Sequence, residues 1–197
     1  RLLFAVRDVE GRPGGIGGRV LPELSAGRPA KDGNSPETPL FAKSSLLYGL
    51  DLAKESIRRA RRAIVVEGYT DVIVAHQYGF TETVAVLGTA LGENHIRLLK
   101  RFADKVVLLL DGDEAGQRRA NEVLELFVAQ QVDLRIITLP AGLDPCDFLQ
   151  RHGAAALHQL LEGQAIDALE HAFLTKTRGI DLDRDVHRAS QALDELI

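Results

Sequence analysis

Between residues 63 and 139, short aliphatic runs alternate with segments of helical periodicity, and this pattern constrains the fold most strongly. The predicted strands are 63–67, 83–87, 105–110 and 134–139, and the predicted helices between them are 70–78, 93–101 and 115–130. Alternating strands and helices of this length are typical of a parallel sheet with helices on its faces. The sequence therefore predicts an α/β domain over residues 63–150.

Carboxylates follow three of the four predicted strands. Glu67 ends the first strand and Asp71 follows one helical turn later, Asp111 and Asp113 follow the third strand, and Asp144 follows the fourth. The carboxyl ends of parallel strands share one edge, so these groups would repel one another unless protonated or bound to cations. All-oxygen ligands favour Mg²⁺ or Mn²⁺ over zinc. A single acidic turn more often caps a helix, so the prediction depends on the whole set.

The second predicted strand is followed by a loop, residues 87–95, in which glycines precede a helix. Backbone N–H groups at a helix start can hold phosphate. An ordinary strand-to-helix turn explains the same glycines equally well, and both interpretations stay open. His95 lies on the first turn of that helix, where it could contact a site or pack, and its spacing favours packing.

The flanking regions differ from this domain. Residues 1–7 and 14–21 are predicted strands, residues 22–39 a long loop, and a helix is predicted from Ser44 or Ser45; residues 151–197 carry only helical patterns. We therefore predict a small α+β N-terminal lobe over 1–62 and a helical C-terminal subdomain over 151–197.

Charge is distributed unevenly between these regions. Residues 1–62 carry 12 Lys and Arg against 7 Asp and Glu, whereas residues 63–197 carry 12 against 21. A basic lobe beside an acidic domain suits a protein that holds a polyanion with one part and metal cations with the other. Solvated acidic helices would produce the same imbalance, and charge alone does not separate the two explanations.

Several classes of protein are disfavoured. No apolar run approaches the roughly 18 to 20 residues that a membrane span needs, so no membrane partner is expected and the expected compartment is the cytoplasm. The single cysteine, Cys146, and six scattered histidines indicate neither a disulfide nor a zinc site in this chain. The sequence contains no Met, and we interpret it as a piece of a longer protein.

Two sets of motifs resemble a known family. Residues 67–71 (EGYTD), 87–89 (LGT) and 111–116 (DGDEAG) resemble the Toprim domain of bacterial primases, type IA and II topoisomerases, and some nucleases and recombination proteins. Residues 4–8 with 17–21, 34–38 with 41–43, and 47–50 are similar to the basic N-terminal lobe of DnaG-type bacterial primases. Topoisomerases and nucleases lack the second set, so the resemblance is to the primase catalytic core.

The resemblance implies an activity: DNA-templated synthesis of short RNA primers by metal-dependent nucleotidyl transfer for DNA replication. The implied substrates are a single-stranded DNA template and ribonucleoside triphosphates. A replicative helicase and a zinc-binding domain are implied as partners through regions outside this chain. We accordingly expect this piece alone to initiate primers poorly.

The resemblance also assigns site residues. It implies that Glu67, Asp111 and Asp113 are the catalytic metal ligands, with Asp71 and Asp144 as additional ligands for more than one Mg²⁺ or Mn²⁺. It further implies nucleotide or template contacts from four basic residues: Arg7, Arg19, Lys31 and Lys43.

The sequence departs from the family pattern at two places. Cys146 stands where the family commonly has a second aspartate, and a thiol is a poor Mg²⁺ ligand, so Asp147 would have to replace it. After Lys31, residues 32 and 33 are Asp and Gly where Tyr and Leu are usual.

Two other functions use the same motifs. A Toprim nuclease or topoisomerase-like strand transferase would cleave a phosphodiester with the same metals. A non-catalytic Toprim module would bind DNA as a scaffold. We expect nucleic-acid binding from all three, and metal-dependent triphosphate binding from the primase.

Overall fold

The computed structural model describes residues 1–20, 32–39, 41–112, 123, 132–140, 142–163 and 166–167. The helices in these ranges are Leu50–Ala60 (α1), Tyr69–Gln77 (α2), Glu93–Leu99 (α3) and Pro145–Gly163 (α4). The strands are Leu2–Arg7 (β1), Pro13–Arg19 (β2), Asp32–Asn34 (β3), Arg62–Val66 (β4), Thr83–Ala85 (β5), Lys105–Leu110 (β6), Asp133–Thr138 (β7) and Ile166–Asp167 (β8). Of the predicted helix 115–130, Val123 alone lies within the described residues.

Strands β5, β4, β6 and β7 lie in that order in one parallel sheet, which confirms the predicted α/β architecture. Four of the five residues of β4 and five of the six of β6 are buried. Consecutive β4 residues alternate between two apolar clusters, with Val65 in one and Ile64 in the other. The first cluster includes residues of α1 and α3, and the second includes residues of α2 and α4. The sheet is therefore covered on both faces.

The C-terminal part contains a strand where only helices were predicted. Helix α4 extends to Gly163 with a break at Gly153, whose φ is 77°. Beyond it, β8 pairs antiparallel with β7. The helical prediction is wrong at these two residues, because β7 offers an open edge whose backbone groups a following segment can pair with. The remainder of the predicted helical subdomain lies outside the described residues.

The N-terminal lobe is an antiparallel sheet in the order β1, β2, β3. Strand β3 falls inside the predicted loop 22–39, and it has no β-branched residue that could have indicated it. It exists because Asn34 pairs with Gly17 of β2. A Cβ atom on Gly17 would lie 2.3 Å from the Tyr69 hydroxyl oxygen, so this glycine permits the close approach of the lobe to the parallel sheet.

Helix α1 begins at Leu50, not at Ser44 or Ser45 as predicted. Tyr48 forms an isolated antiparallel bridge with Ala85 of β5, with N···O distances of 2.8 and 3.1 Å. Gly49 then adopts a φ of 81°, which ends the extended segment and starts the helix. A pairing distant in sequence therefore displaces the helix start.

Aromatic packing joins the lobe to the parallel sheet. The rings of Phe4 and Tyr69 stack with centroids 5.1 Å apart, and Val6, Phe41 and Leu87 complete a third apolar cluster. No helix in the described ranges is both long and apolar enough to span a membrane.

Candidate active site

The predicted carboxylates follow the strands as the sequence indicated. Glu67 comes directly after β4 and Asp111 directly after β6, and the parallel register, with Val65 opposite Leu108, places both at the same end of the sheet. Asp71 lies in the first turn of α2, and Asp144 directly precedes α4. The topology therefore gathers these four residues at one edge. Asp113 lies outside the described residues.

Asp71 is the most deeply placed of these carboxylates, at 5% exposed. Its Oδ1 accepts a hydrogen bond from the N–H of Cys146 at 3.2 Å. A Cβ atom on Gly68 would lie 2.6 Å from the Asp71 Oδ2, so a larger residue at this position would require the Asp71 carboxylate to shift. Helix α2 and the start of α4 are thus joined through one carboxylate.

Burial and neighbouring charge raise the pKa of Asp71 to about 7. Loss of solvation is the largest cause, followed by the charge of Asp144, and Asp111 adds to it. The Cys146 N–H and the Arg19 guanidinium act in the opposite direction. Asp71, Asp111 and Asp144 therefore share one electrostatic environment in which a proton or a cation is favoured.

Asp144 also caps a helix. Its Oδ1 accepts the N–H of Asp147 at 2.7 Å, and its carbonyl accepts the N–H of Phe148 at 2.9 Å. This is the N-cap arrangement that acidic turns commonly adopt. The capping interpretation is correct for this residue, although its charge also acts on Asp71.

Cys146 and Asp147 occupy the position where the sequence departs from the family. Burial, followed by the charges of Asp144, Asp71 and Asp147, raises the pKa of the Cys146 thiol, which favours its neutral form. A neutral thiol is a poor partner for a hard cation. Asp147 lies 4.0 Å from Arg151 on the surface of α4. Replacement of the missing aspartate by Asp147 stays a prediction.

Gly112 fixes the loop after β6 against the loop after β7. Its N–H donates to the carbonyl of Leu143 at 3.1 Å, and its carbonyl accepts the N–H of Gly142 at 3.2 Å. A Cβ atom on Gly112 would lie 2.1 Å from the carbonyl oxygen of Pro140. The glycine between Asp111 and Asp113 thus holds Asp111 near the loop that carries Asp144.

The chemistry of this site fits a hard divalent cation. Glu67, Asp71, Asp111 and Asp144 offer only oxygen donors. Burial is the main cause of the raised Asp71 pKa, and a cation would relieve the repulsion from Asp144 and Asp111 that adds to it. Within the described ranges, no three Asp, Glu, His or Cys side chains converge closely enough to hold a metal by themselves. The metal-ligand assignments remain predictions.

The predicted basic residues lie in different surroundings. The Arg19 Nη1 donates to the Thr70 Oγ1 at 2.8 Å, beside Asp71. Arg7 is exposed and lines a cleft of about 420 Å³ between β1 and the helices α1 and α2, together with Tyr48 and Asp51; none of the predicted metal ligands is among its described lining residues. Lys31 lies outside the described residues. The structure thus brings Arg19 to the carboxylates and Arg7 to a separate cleft.

Lys43 is held through its backbone. Its N–H donates to the Oε1 of Glu37 at 3.2 Å, and its carbonyl lies 2.8 Å from the Nε2 of His95. The Nδ1 of His95 accepts the N–H of Gly92 at 3.1 Å, at the start of α3. His95 is fully buried, and burial lowers its pKa. The expectation that His95 packs is confirmed.

The sequence did not single out Asn34 as a contact residue, although it lies in one of the family motifs. Its Nδ2 donates to the carbonyl of Leu87 at 2.9 Å, and its Oδ1 accepts a hydrogen bond from the Tyr69 hydroxyl. One side chain of the lobe therefore contacts the segments that follow both β4 and β5. Phosphate binding by the loop that begins at Leu87 stays a prediction.

A pH-dependent stability difference is expected from Asp71. Because its pKa is raised, the contribution of protonated Asp71 to the free energy of unfolding is fully present below about pH 4 and is lost as the pH rises through about 7. Asn at this position does not titrate. From pH 5 to pH 8 the free energy of unfolding of the metal-free wild type should therefore fall by roughly 2 to 4 kcal/mol relative to that of Asp71→Asn. Urea unfolding in EDTA at both values measures this, with Asp133→Asn as the surface control. The same difference in free energy of unfolding between variant and wild type at pH 5 and at pH 8 would contradict this prediction.

Comparisons with known proteins agree with these features. Residues 1–54 match the model of the DNA primase catalytic core, N-terminal domain, and residues 64–149 match a Toprim-like family model. A DNA primase of Streptomyces coelicolor is 40% identical over 200 residues, which cover 99% of this chain and 31% of that protein.

Solved structures are also similar. A DnaG primase catalytic domain bound to single-stranded DNA superposes with a TM-score of 0.86 at 37% identity, covering 100% of this chain and 63% of that one. An Aquifex aeolicus primase structure with zinc-binding and RNA polymerase domains gives a TM-score of 0.83 at 31% identity, covering 100% and 46%.

The chain spans only part of these proteins, between 24% and 34% of the length of the curated relatives that it matches. Both family models match in the order that the sequence motifs indicated, and the whole described fold superposes on primase cores. The chain therefore belongs to the DnaG-type bacterial DNA primase family, within which it corresponds to part of the catalytic core and contains a Toprim domain.

Proposed function

We propose that this chain is the polymerising portion of a primase and catalyses DNA-templated addition of ribonucleotides to a growing RNA primer. The observation that carries the proposal is the carboxylate environment at the strand ends, where burial and two neighbouring aspartates raise the pKa of Asp71 to about 7. Such an environment favours bound cations, and metal-dependent nucleotidyl transfer requires them. Membership of the primase family supports the same reaction.

In this proposal the carboxylates hold the metal and the basic residues hold the polyanions. Glu67, Asp111 and Asp113 would bind Mg²⁺ or Mn²⁺, with Asp71 and Asp144 as further ligands. The bound cations would supply activation of the 3′-hydroxyl and stabilisation of charge on the reacting phosphate.

Four basic residues would bind phosphates of the triphosphate or the template: Arg7, Arg19, Lys31 and Lys43. Arg19 has the strongest structural support, because its guanidinium contacts Thr70 and acts on the Asp71 carboxylate. From there it can neutralise a phosphate that approaches the carboxylate edge.

The proposed partners follow from the relatives. One related catalytic domain was solved with single-stranded DNA, and another primase structure includes a zinc-binding domain. We propose single-stranded DNA as the template here, and contacts with a zinc-binding domain and a replicative helicase through other parts of the full protein. The proposed site of action is the cytoplasm, and the three-part division at residues 62/63 and 150/151 remains a proposal as well.

Extension of an annealed RNA primer tests this function without requiring initiation. The chain is incubated with a DNA template, a short annealed RNA, ribonucleoside triphosphates and Mn²⁺, and products are resolved on a sequencing gel. Template-dependent addition of ribonucleotides is the expected result. Omitting the template or adding EDTA should abolish it.

The same gel separates the alternatives. Cleavage of labelled DNA in Mn²⁺ without triphosphates would favour a Toprim nuclease or strand transferase. Salt-sensitive DNA binding with neither extension nor triphosphate binding would favour a scaffold.

A further inference from the structure

His95 contacts the segment that carries Lys43 although the two residues are 52 positions apart. The Nε2 of His95 lies 2.8 Å from the Lys43 carbonyl oxygen, and its Nδ1 accepts the Gly92 N–H. Since Nδ1 accepts, the proton of a neutral ring lies on Nε2, which donates to Lys43. Both ring nitrogens of a fully buried side chain are therefore used.

The Lys43 backbone is held on both sides of its Cα atom. The N–H belongs to the peptide plane before the Cα and is bound by Glu37, whereas the carbonyl belongs to the plane after it and is bound by His95. Residues 42–47 form a turn and irregular structure, with no strand ladder or helix to fix them. A backbone hydrogen bond from the Ser45 N–H to the Ala42 carbonyl closes the turn that contains Lys43, and the side chains of Glu37 and His95 hold the two peptide groups of Lys43 within that turn.

We infer that His95 is a positioning residue for triphosphate binding, which acts by holding the Lys43 backbone so that its ammonium group is directed at a phosphate. The inference rests on the proposed function, in which Lys43 binds phosphate. A lysine carries its charge at the end of a flexible side chain. Its affinity for phosphate therefore depends on how well its backbone is held in place before the phosphate binds. His95 itself does not touch the nucleotide in this arrangement.

A double-mutant cycle separates this role from a purely structural one. The variants are His95→Phe, which keeps a ring but removes both nitrogens, His95→Gln, which keeps an N–H donor, and each of these combined with Lys43→Ala. For each variant, the dissociation constant of the protein for ATP in the presence of Mn²⁺ is measured by calorimetry. KM and kcat are measured by primer extension.

We expect His95→Phe to raise the ATP dissociation constant by about five- to tenfold, with a larger effect on KM than on kcat. His95→Gln should recover part of the affinity. In the Lys43→Ala background His95→Phe should have no further effect, because the group that it positions is gone.

An equal fold-change in both backgrounds would overturn the inference and leave the proposed function standing. An unchanged dissociation constant for Lys43→Ala alone would overturn the inference together with the proposed role of Lys43. The two failures are therefore distinguishable.

Glu37 provides a second route if the buried His95→Phe substitution prevents folding. Glu37 is exposed, and Glu37→Ala releases the Lys43 N–H without disturbing the core. We expect about a two- to threefold weaker affinity for ATP, again only when Lys43 is present. The matched control is Glu55→Ala, because Glu55 is also exposed and its carboxylate pairs with Arg58. It should leave the affinity for ATP unchanged. A Glu37→Ala effect that persists without Lys43 would overturn the inference.

Discussion

Asp111→Asn is expected to lower the rate of templated ribonucleotide addition by about 100-fold or more, because the cation that Asp111 is proposed to hold would stabilise the phosphate charge by several kcal/mol. Asp111 directly follows β6 at the carboxylate edge, and its charge contributes to the raised pKa of Asp71. The substitution keeps the size of the side chain and removes its charge. Primer extension under single-turnover conditions measures the loss.

The same strand provides the control for this substitution. Asp104 directly precedes β6 at the opposite end of the sheet, where its exposed carboxylate pairs with Arg61. Asp104→Asn should leave the extension rate within about twofold of wild type, since exposed ion pairs contribute little. Extension by Asp111→Asn at the Asp104→Asn rate would remove Asp111 from the proposed site.

The loss of primer extension in Asp111→Asn should not be accompanied by a loss of thermal stability. Removing the Asp111 charge relieves its repulsion of Asp71 in the metal-free protein, and this gain opposes the loss of the other interactions of the Asp111 side chain, so the melting temperature should stay close to that of the wild type. A lower melting temperature would mean that the activity loss reflects a damaged fold.

Gly112→Ala is expected to destabilise the protein by about 2 to 4 kcal/mol and to reduce primer extension. The new Cβ atom would lie 2.1 Å from the Pro140 carbonyl oxygen and 2.6 Å from that of Leu139. Both are backbone atoms, so the loops after β6 and β7 must separate. That separation would move Asp111 away from Asp144 and weaken the binding of Mn²⁺.

Urea unfolding followed by far-UV circular dichroism measures this destabilisation. Gly163→Ala, at the end of α4, is the matched control because no atom lies within 4 Å of its added Cβ. It should change the free energy of unfolding by less than about 0.5 kcal/mol. Wild-type stability in Gly112→Ala would contradict the close approach of the two loops.

Much of the parallel sheet could be predicted because its signals are local. After Lys105, β6 consists of five consecutive aliphatic residues, and Glu67 and Asp111 stand directly after β4 and β6. Parallel strands then bring Glu67 and Asp111 to one edge by topology alone. The strand-end carboxylates thus predicted a metal site from local signals, whereas the individual ligand roles and the phosphate contacts came from the family resemblance.

The failures occurred where pairing between distant residues outweighed local preference. Helix α1 starts late because Tyr48 pairs with Ala85. Strand β3 forms because Asn34 pairs with Gly17, and β8 forms beside the edge of β7. None of these pairings leaves a pattern in a single stretch of sequence.

The sequence alone therefore determined the α/β class of the central domain and the placement of carboxylates at its strand ends, since hydrophobic periodicity and strand direction are properties of short segments. The tertiary structure decided the pKa of Asp71, the approach permitted by Gly112 and the contact of His95 with Lys43. These depend on burial and on distances between residues far apart in the chain, which form only when the elements pack.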